Sequence, residues 1–373
     1  MAIVKLGDIA MEAKSSNKGD KTGIKIVGLE HLTPSNVTLT SWSDDTNNSF
    51  TKEFSKHDVL FGRRRAYLKK AAVAPFDGIC SGDITVIRAI EDKVNPNLLP
   101  FIIQNDFFFD FAVGKSAGSL SPRVKWTHLK EFTIELPPMP EQSKLAETLW
   151  SINETKNAYE DLINKIDELV KSQFIEMIES DLSIPKVCLG DIFEISSGGT
   201  PSRKKEEYWD DGKIPWVKIS DMKSMYVTKT EECITELGLA KSSAKLYETG
   251  TFLISIFATL GEVSILDIDA TTNQAIAGLV PKREIDTEYM YIALTQLKDR
   301  ILDIGRGAAQ NNINLSILKN LEISMPTELI RRKFSIFVEQ SDKSKFALQE
   351  AIKDLDALSK KIIAENLIPA GKE

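Results

Sequence analysis

A chain of 373 residues is long enough for two or three domains, and its apolar (42%) and charged (27%) fractions exclude a disordered tail. No apolar run approaches the roughly 20 residues of a membrane helix; the longest is Thr251–Leu260. The formal charge of −7 is uneven, with +2 over 1–136, −6 over 137–181, −4 over 182–325 and +1 over 326–373, so the total neither supports nor excludes a nucleic-acid partner. The opening MAIVKLGDIA lacks the long apolar core of a secretory signal. Three widely spaced cysteines (Cys80, Cys188, Cys233), with no CxxC, argue against a disulfide framework or a thiolate metal site. The expectation is a soluble, cytoplasmic protein of several domains.

In chain order the sequence reads as a doubled unit. Val4-Lys5-Leu6-Gly7-Asp8-Ile9 returns 183 residues later as Val187-Cys188-Leu189-Gly190-Asp191-Ile192. Leu129–Pro137 is echoed by Leu318–Pro326 at an offset of 189. Each half has a short strand entry, a mixed body, a strand ending in Pro, and a long helix. In the bodies, Gly78–Arg88, Ile214–Ile219, Thr251–Phe257 and Val263–Leu266 read as strands. Asn97–Phe111 and Thr287–Ile304 read as helices, with Phe107, Phe108 and Phe109 expected in the core.

The long helices carry apolar seams at 4,3 spacing. The first runs through Leu145, Leu149, Ile152, Lys156, Tyr159, Ile163, Ile166, Val170, Gln173 and Met177. The same ladder shifted by 189 gives Phe334, Val338, Ser341, Lys345, Leu348, Ile352, Leu355, Ser359, Ile362 and Asn366. A 3.5-residue repeat over four heptads is a coiled-coil signal, and a Lys at the matching step of each ladder is the kind of polar seam residue that fixes register. The two helices are each other's natural partner. At about 1.5 Å per residue, a seam from 145 to 177 makes a rod of roughly 50 Å.

Catalytic motifs do not emerge. The one Pro-Pro, Pro137-Pro138, lacks the acidic or amide residue before it and the aromatic after it that would hold a flipped adenine. Glu12-Ala13-Lys14 has Glu-x-Lys spacing but no well-placed second carboxylate beyond Asp8, and no phosphate-binding GxxxxGK[ST] occurs. His31, His57 and His128 are isolated, so no metal site is expected. What does recur is cations on glycine-rich or turn-rich stretches. Arg63, Arg64, Arg65, Lys69 and Lys70 surround Tyr67, and Lys115, Arg123 and Lys125 lie on a glycine loop. In the second half, Arg203, Lys204 and Lys205 follow Gly198-Gly199-Thr200-Pro201, Lys218 lies nearby, and Arg306, Gln310 and Asn311 sit on a third loop. Arg reads guanine edges or clamps phosphate, Lys supplies charge, and amides pair with adenine. These residues are the expected DNA-binding set, placed at corresponding points of the two halves.

On these pieces together the chain resembles the specificity subunit of a type I restriction–modification system. They are LGDI opening each half, GGTPSR…EYW…GKIPWVKISD (Gly198–Asp221), TNQAIAGLVP (Thr272–Pro281), FGRRRAYLKKAAVAPFDGICSGD (Phe61–Asp83), and LPPMPEQ (Leu136–Gln142) leading into the helix. The second half departs after Met325-Pro326, where Thr-Glu-Leu-Ile-Arg-Arg replaces the Pro-Glu-Gln corner. The resemblance implies an α+β fold: two pseudo-symmetric target-recognition domains (1–136 and 182–325) separated by two long antiparallel coiled-coil helices (137–181 and 326–373). It implies a non-catalytic reader of double-stranded DNA with a split site. Two modification (methyltransferase) subunits would dock on the helices, and restriction (translocase/nuclease) subunits would join them. S-adenosylmethionine, ATP and Mg²⁺ would belong to those partners, with no cofactor here. Two other classes stay open on the residues alone: a self-contained DNA-modifying enzyme with unfamiliar motifs, and a coiled-coil scaffold that does not bind DNA.

Overall fold

The computed structural model describes residues 2–306 and 313–369. The chain forms two α+β units, one from residues 2–162 with 348–369 and the other from 163–306 with 313–347. The division falls inside both long helices, so each helix contributes to both units.

The first unit contains strands β1 (Ala2–Lys5), β2 (Ala10–Glu12), β3 (Lys25–Val27), β4 (Lys52–Phe54), β5 (Val59–Gly62), β6 (Ala71–Val73), β7 (Gly78–Cys80), β8 (Ile84–Ala89) and β9 (Thr133–Leu136). An antiparallel sheet has the order β2-β8-β5-β6; a smaller one, β3-β7-β4, pairs β3 with β7 in parallel. Alternation along β5 and β8 sends side chains to two cores. Val59, Phe61 and Ile87 pack with the helical layer, whereas Leu60, Ile84 and Val86 pack with the small sheet. The Gly78–Arg88 stretch is two strands, not one, because Ser81 turns the chain: its Oγ accepts the Asp83 N–H and its carbonyl the Ile84 N–H. Asn105 likewise breaks the expected 97–111 helix into Leu99–Ile103 and Asp106–Gly114. Its side chain caps the second helix at Phe108 N and donates to the last carbonyls of the first. Phe108 and Phe109 are buried, but Phe107 faces solvent.

The second unit repeats this plan with β10 (Lys186–Cys188), β11 (Phe193–Ser197), β12 (Ile214–Val217), β13 (Tyr226–Val227), β14 (Glu232–Ile234), β15 (Phe252–Ser255), β16 (Val263–Leu266), β17 (Thr271–Thr272), β18 (Ile276–Pro281) and β19 (Glu322–Ser324). The main sheet is β11-β18-β15-β16-β13, and β12 pairs in parallel with β17 as β3 does with β7. The third small-sheet strand differs: β4 lies against β7, but β14 lies on the other side, against β12. The expected 287–304 helix is two, Thr287–Thr295 and Lys298–Arg306.

The sequence repeats are structural closures. β1 pairs with β9 and β10 with β19, so each echo of the first motif lies beside its own half's echo of the second. The Leu6 and Leu189 N–H groups donate to Phe132 and Leu321 carbonyls, and a side chain at Gly7 or Gly190 would press on Lys130 or Lys319. Buried Gln142 makes the corner before the first long helix, donating from Nε2 to Pro137 O (2.9 Å) and accepting the Asn95 N–H. The second half does not lose this corner, as its sequence suggested. Arg331 stands 189 residues later, donating to Pro326 O (2.8 Å) and pairing with Asp286.

The long helices, Met139–Phe174 and Glu328–Leu367, run antiparallel. In the first unit Lys156 pairs with Asp356 at 2.8 Å; in the second, Lys345 pairs with Asp167 at 2.8 Å. The residue numbers of each pair add to 512, as one antiparallel register requires, and a shift of 189 converts one pair into the other. Leu149, Val170, Phe334 and Val338 are buried seam residues; Leu145, Ile152, Tyr159, Ile163, Ile166, Leu348, Ile352 and Leu355 are half-buried. At the C-terminal ends the seam slips by one. Phe174 and Ile178 are buried where Gln173 and Met177 were expected, and Ile363 and Leu367 take the places of Ile362 and Asn366. A helix of 3.6 residues per turn drifts from a 3.5 repeat by about 20° per heptad, and the domain cores at those ends select the drifted face.

Candidate nucleic-acid interface

In the first unit the two cation-bearing stretches come together. Past Gly62 the chain leaves β5, and Arg63 N–H donates to Asp83 O while Arg63 O accepts the Val124 N–H. Arg64 bridges to Arg123, and Arg65 N–H donates to Pro122 O (2.8 Å). Asp83 is the pivot: Arg123 Nε lies 2.8 Å from one oxygen and Arg64 Nη1 3.4 Å from the other, and Arg64 Nε donates to Ser121 Oγ. The hydrogen bond from Arg123, with Arg64 beside it, holds the Asp83 carboxyl below its ordinary range. Lys69 is taken by Asp106 (2.5 Å), whose carboxyl it holds down together with Lys360, and Lys70 Nζ donates to Leu29 O. Lys115 lies over the Phe111 ring. Arg65 and Lys125 are exposed and make no ion pair among the described residues, and the Arg63 Nε is buried without a partner. Two guanidinium groups, Arg64 and Arg123, thus meet on the Asp83 carboxylate, and these pairings orient them at the surface.

The second unit builds a different cluster. Gly199 donates to Thr272 O, and a Cβ there would lie 2.4 Å from the Ser243 backbone, so only glycine fits the approach. Trp216 is buried and ties the loop by donating Nε1 to Gly199 O. The Arg203 guanidinium stacks 3.6 Å from the Trp209 ring centre and 4.8 Å from that of Trp216. It also pairs with Glu232, which lies 2.8 Å from Lys218; Lys218 is shared with Glu231. Hydrogen bonds from Arg203, then Lys218, hold the Glu232 carboxyl low, and the two glutamates push the Lys218 ammonium up. Lys205 meets Tyr208 OH and Glu207, whereas Lys204 is exposed and without an ion pair among the described residues.

The two clusters do not occupy corresponding places, contrary to the sequence expectation. Arg63–Lys70 joins β5 to β6, and its counterpart joining β15 to β16 is the cation-free Ile256–Gly261, followed by Glu262. Arg203–Lys205 follows β11, the counterpart of β2. Ile313 does correspond to Val124: Val124 N–H donates to Arg63 O just as Ile313 N–H donates to Ile256 O. Gln310 and Asn311 lie outside the described residues, as does the Arg306 side chain. Sequence reading missed the acidic pivots Asp83 and Glu232, and Trp209 as a stacking surface; the one available signal was the place of Asp83 and Trp209 inside the motifs Phe61–Asp83 and Gly198–Asp221, and Glu232 lies outside both. Among the described residues no three His, Cys, Asp or Glu side chains gather as a metal set, and no helix is long and apolar enough to cross a membrane.

Comparison with known proteins identifies the family. The family described as Type I restriction modification DNA specificity domain matches residues 1–168 and again 184–355. The specificity subunit of the type I restriction enzyme MjaIX of Methanocaldococcus jannaschii is 30% identical over 177 residues, 46% of this chain and 40% of that one. That of HindI from Haemophilus influenzae is 28% identical over 271 residues, 66% of this chain and 57% of that one. The matches thus span about half the length of these curated relatives. A chain solved in work on complex assembly and conformational transition of the type I R-M system aligns with TM-score 0.59 over 98% of this chain and 97% of that one, at 21% identity.

Proposed function

The chain belongs to the family of type I restriction modification DNA specificity domains, which it carries twice, and on that premise we propose that it is the DNA-reading, non-catalytic subunit of such a system. Each unit takes one half of a split duplex site, and the antiparallel helices fix the spacing. Two modification subunits dock on the helices and restriction subunits join them, in the cytoplasm. S-adenosylmethionine, ATP and Mg²⁺ are then ligands of those partners, and this chain carries the address.

The duplication carries this reading. Each copy of the domain has two cations sharing one carboxylate, Arg64 and Arg123 on Asp83 in one and Arg203 and Lys218 on Glu232 in the other. Such charges meet phosphates and base edges, which position and specify a protein on DNA. Selection of the full chain against random duplexes tests it. Two conserved blocks separated by a fixed, sequence-free gap are expected; one continuous block, or no enrichment, contradicts the proposal.

A further inference from the structure

Among the described residues, six that are not glycine have left-handed backbone: Ser35, His57, Arg65, Lys69, Asp211 and Ala258. Three of the six lie in one topological place. Arg65 (φ 55°) and Lys69 (φ 51°) bracket the single 3₁₀ turn Ala66–Leu68 between β5 and β6, and Ala258 (φ 60°) lies in the equivalent connection between β15 and β16. A fourth, Ser35, donates its N–H to the Lys69 carbonyl. Such conformations persist only where surrounding contacts over-determine them, and they gather at ligand clamps.

The contacts are present in both units. Ala66 is buried, Arg65 is tied to Pro122, Lys69 to Asp106, and Gln104 Nε2 donates to Lys69 O. In the second unit Ser255 clasps its loop. Its carbonyl accepts the Gly261 N–H, its Oγ accepts the Glu262 N–H and donates to Thr259 O, and Glu262 pairs with Lys298. What these braced loops hold out is an aromatic ring: Tyr67, 53% exposed, and Phe257, 40% exposed. Neither touches another aromatic ring among the described residues. A lone exposed ring is ordinary, but the same braced ring recurs in both copies, and in the first, with Arg63, Arg64 and Arg65 running up to Tyr67 and Lys69 and Lys70 just beyond it, it is an aromatic interleaved with phosphate-seeking charge.

We propose that Tyr67 and Phe257 are base-stacking wedges, one for each half-site, each ring lying against or entering a base step of bound duplex DNA. The assignment rests on the DNA-reading function above. It adds a means of discrimination that needs no base-edge hydrogen bond, since pyrimidine–purine steps unstack most readily.

The test uses the full chain and its Tyr67→Ala, Tyr67→Phe and Phe257→Ala variants against random duplexes, and then against the enriched duplex across a salt series. Tyr67→Ala is expected to weaken binding roughly tenfold or more and to blur one block of the enriched sequence; Phe257→Ala blurs the other. The slope of log affinity against log salt stays unchanged, because no phosphate contact is lost. Tyr67→Phe binds as the parent does. If Tyr67→Phe is as weak as Tyr67→Ala, a hydroxyl contact replaces stacking and the proposal fails. It also fails if both alanine variants bind as the parent does, or if either lowers the thermal midpoint, which would make the ring structural. No split site for the parent chain overturns the DNA reading itself, a result distinct from the others.

Discussion

Reversing the charges on the helix seam tests the antiparallel register residue by residue. Lys156 and Asp356 meet at 2.8 Å with side chains 20% and 49% exposed; Lys345 and Asp167 meet at 2.8 Å with 23% and 57%. Burial pulls the Lys345 ammonium down, but hydrogen bonds to Asp167 and Asp342 outweigh it and leave it above its ordinary value. Exposed pairs contribute about 0.2–1 kcal/mol, and with the lysines mostly covered about 1 kcal/mol is expected for each. Lys156→Asp removes that and sets two carboxylates face to face, for a loss of about 2 kcal/mol in all. Asp356→Lys alone should cost the same, and the double change Lys156→Asp/Asp356→Lys should restore stability to within about 0.5 kcal/mol, a coupling of about 4 kcal/mol. Lys156→Asp/Asp167→Lys is the sharper variant. It leaves the composition of the first helix unchanged but puts like against like at both pairs, for about 4 kcal/mol. Adding Lys345→Asp and Asp356→Lys should reverse the loss. Urea denaturation followed by circular dichroism at low and high salt reads these differences. A coupling indistinguishable from zero at both pairs would refute the register.

Phe174→Ala should cost about 3–5 kcal/mol, as expected of a buried aromatic, and Met177→Ala markedly less, because the drifted seam buries the former; equal losses in thermal unfolding would contradict the drift. Asp83→Asn should cost about 1 kcal/mol at neutral pH. The folded-state value of Asp83 lies below its ordinary 3.8, so its contribution is complete above that value and fades as pH falls through the folded-state value. The gap between Asp83→Asn and parent should therefore close in acid, and a constant gap in unfolding midpoints would remove the carboxylate from the account. Gly199→Ala should destabilise the second unit by about 1–3 kcal/mol, since its Cβ would lie 2.4 Å from backbone; an unchanged midpoint would show that the loop yields freely.

The doubling, the two long helices and their lysines were legible because they rest on short-range regularities: a repeated string and a 3.5-residue period. Phe174 and Ile363 were missed because a strict heptad ignores helical drift. Arg331 was missed because a different side chain does the work of Gln142, donating to the equivalent proline carbonyl, which only coordinates reveal. The interface was legible as cations but not as an arrangement. Asp83 lies 19 residues from Arg64 and 40 from Arg123, and nothing local announces that the three meet. The correspondence of Arg63–Lys70 with Ile256–Gly261 was hidden for the same reason, since strand order carries it and charge does not.

Removing one heptad from each helix in matched register, 157–163 and 349–355, is the most direct test of a spacer made from paired helices. Both ion pairs survive the deletion, and the rod shortens by about 10 Å. Duplex selection should return the two blocks of the parent chain unchanged, with the gap between them about three base pairs shorter at 3.4 Å per step. The same blocks at the parent spacing would contradict the account.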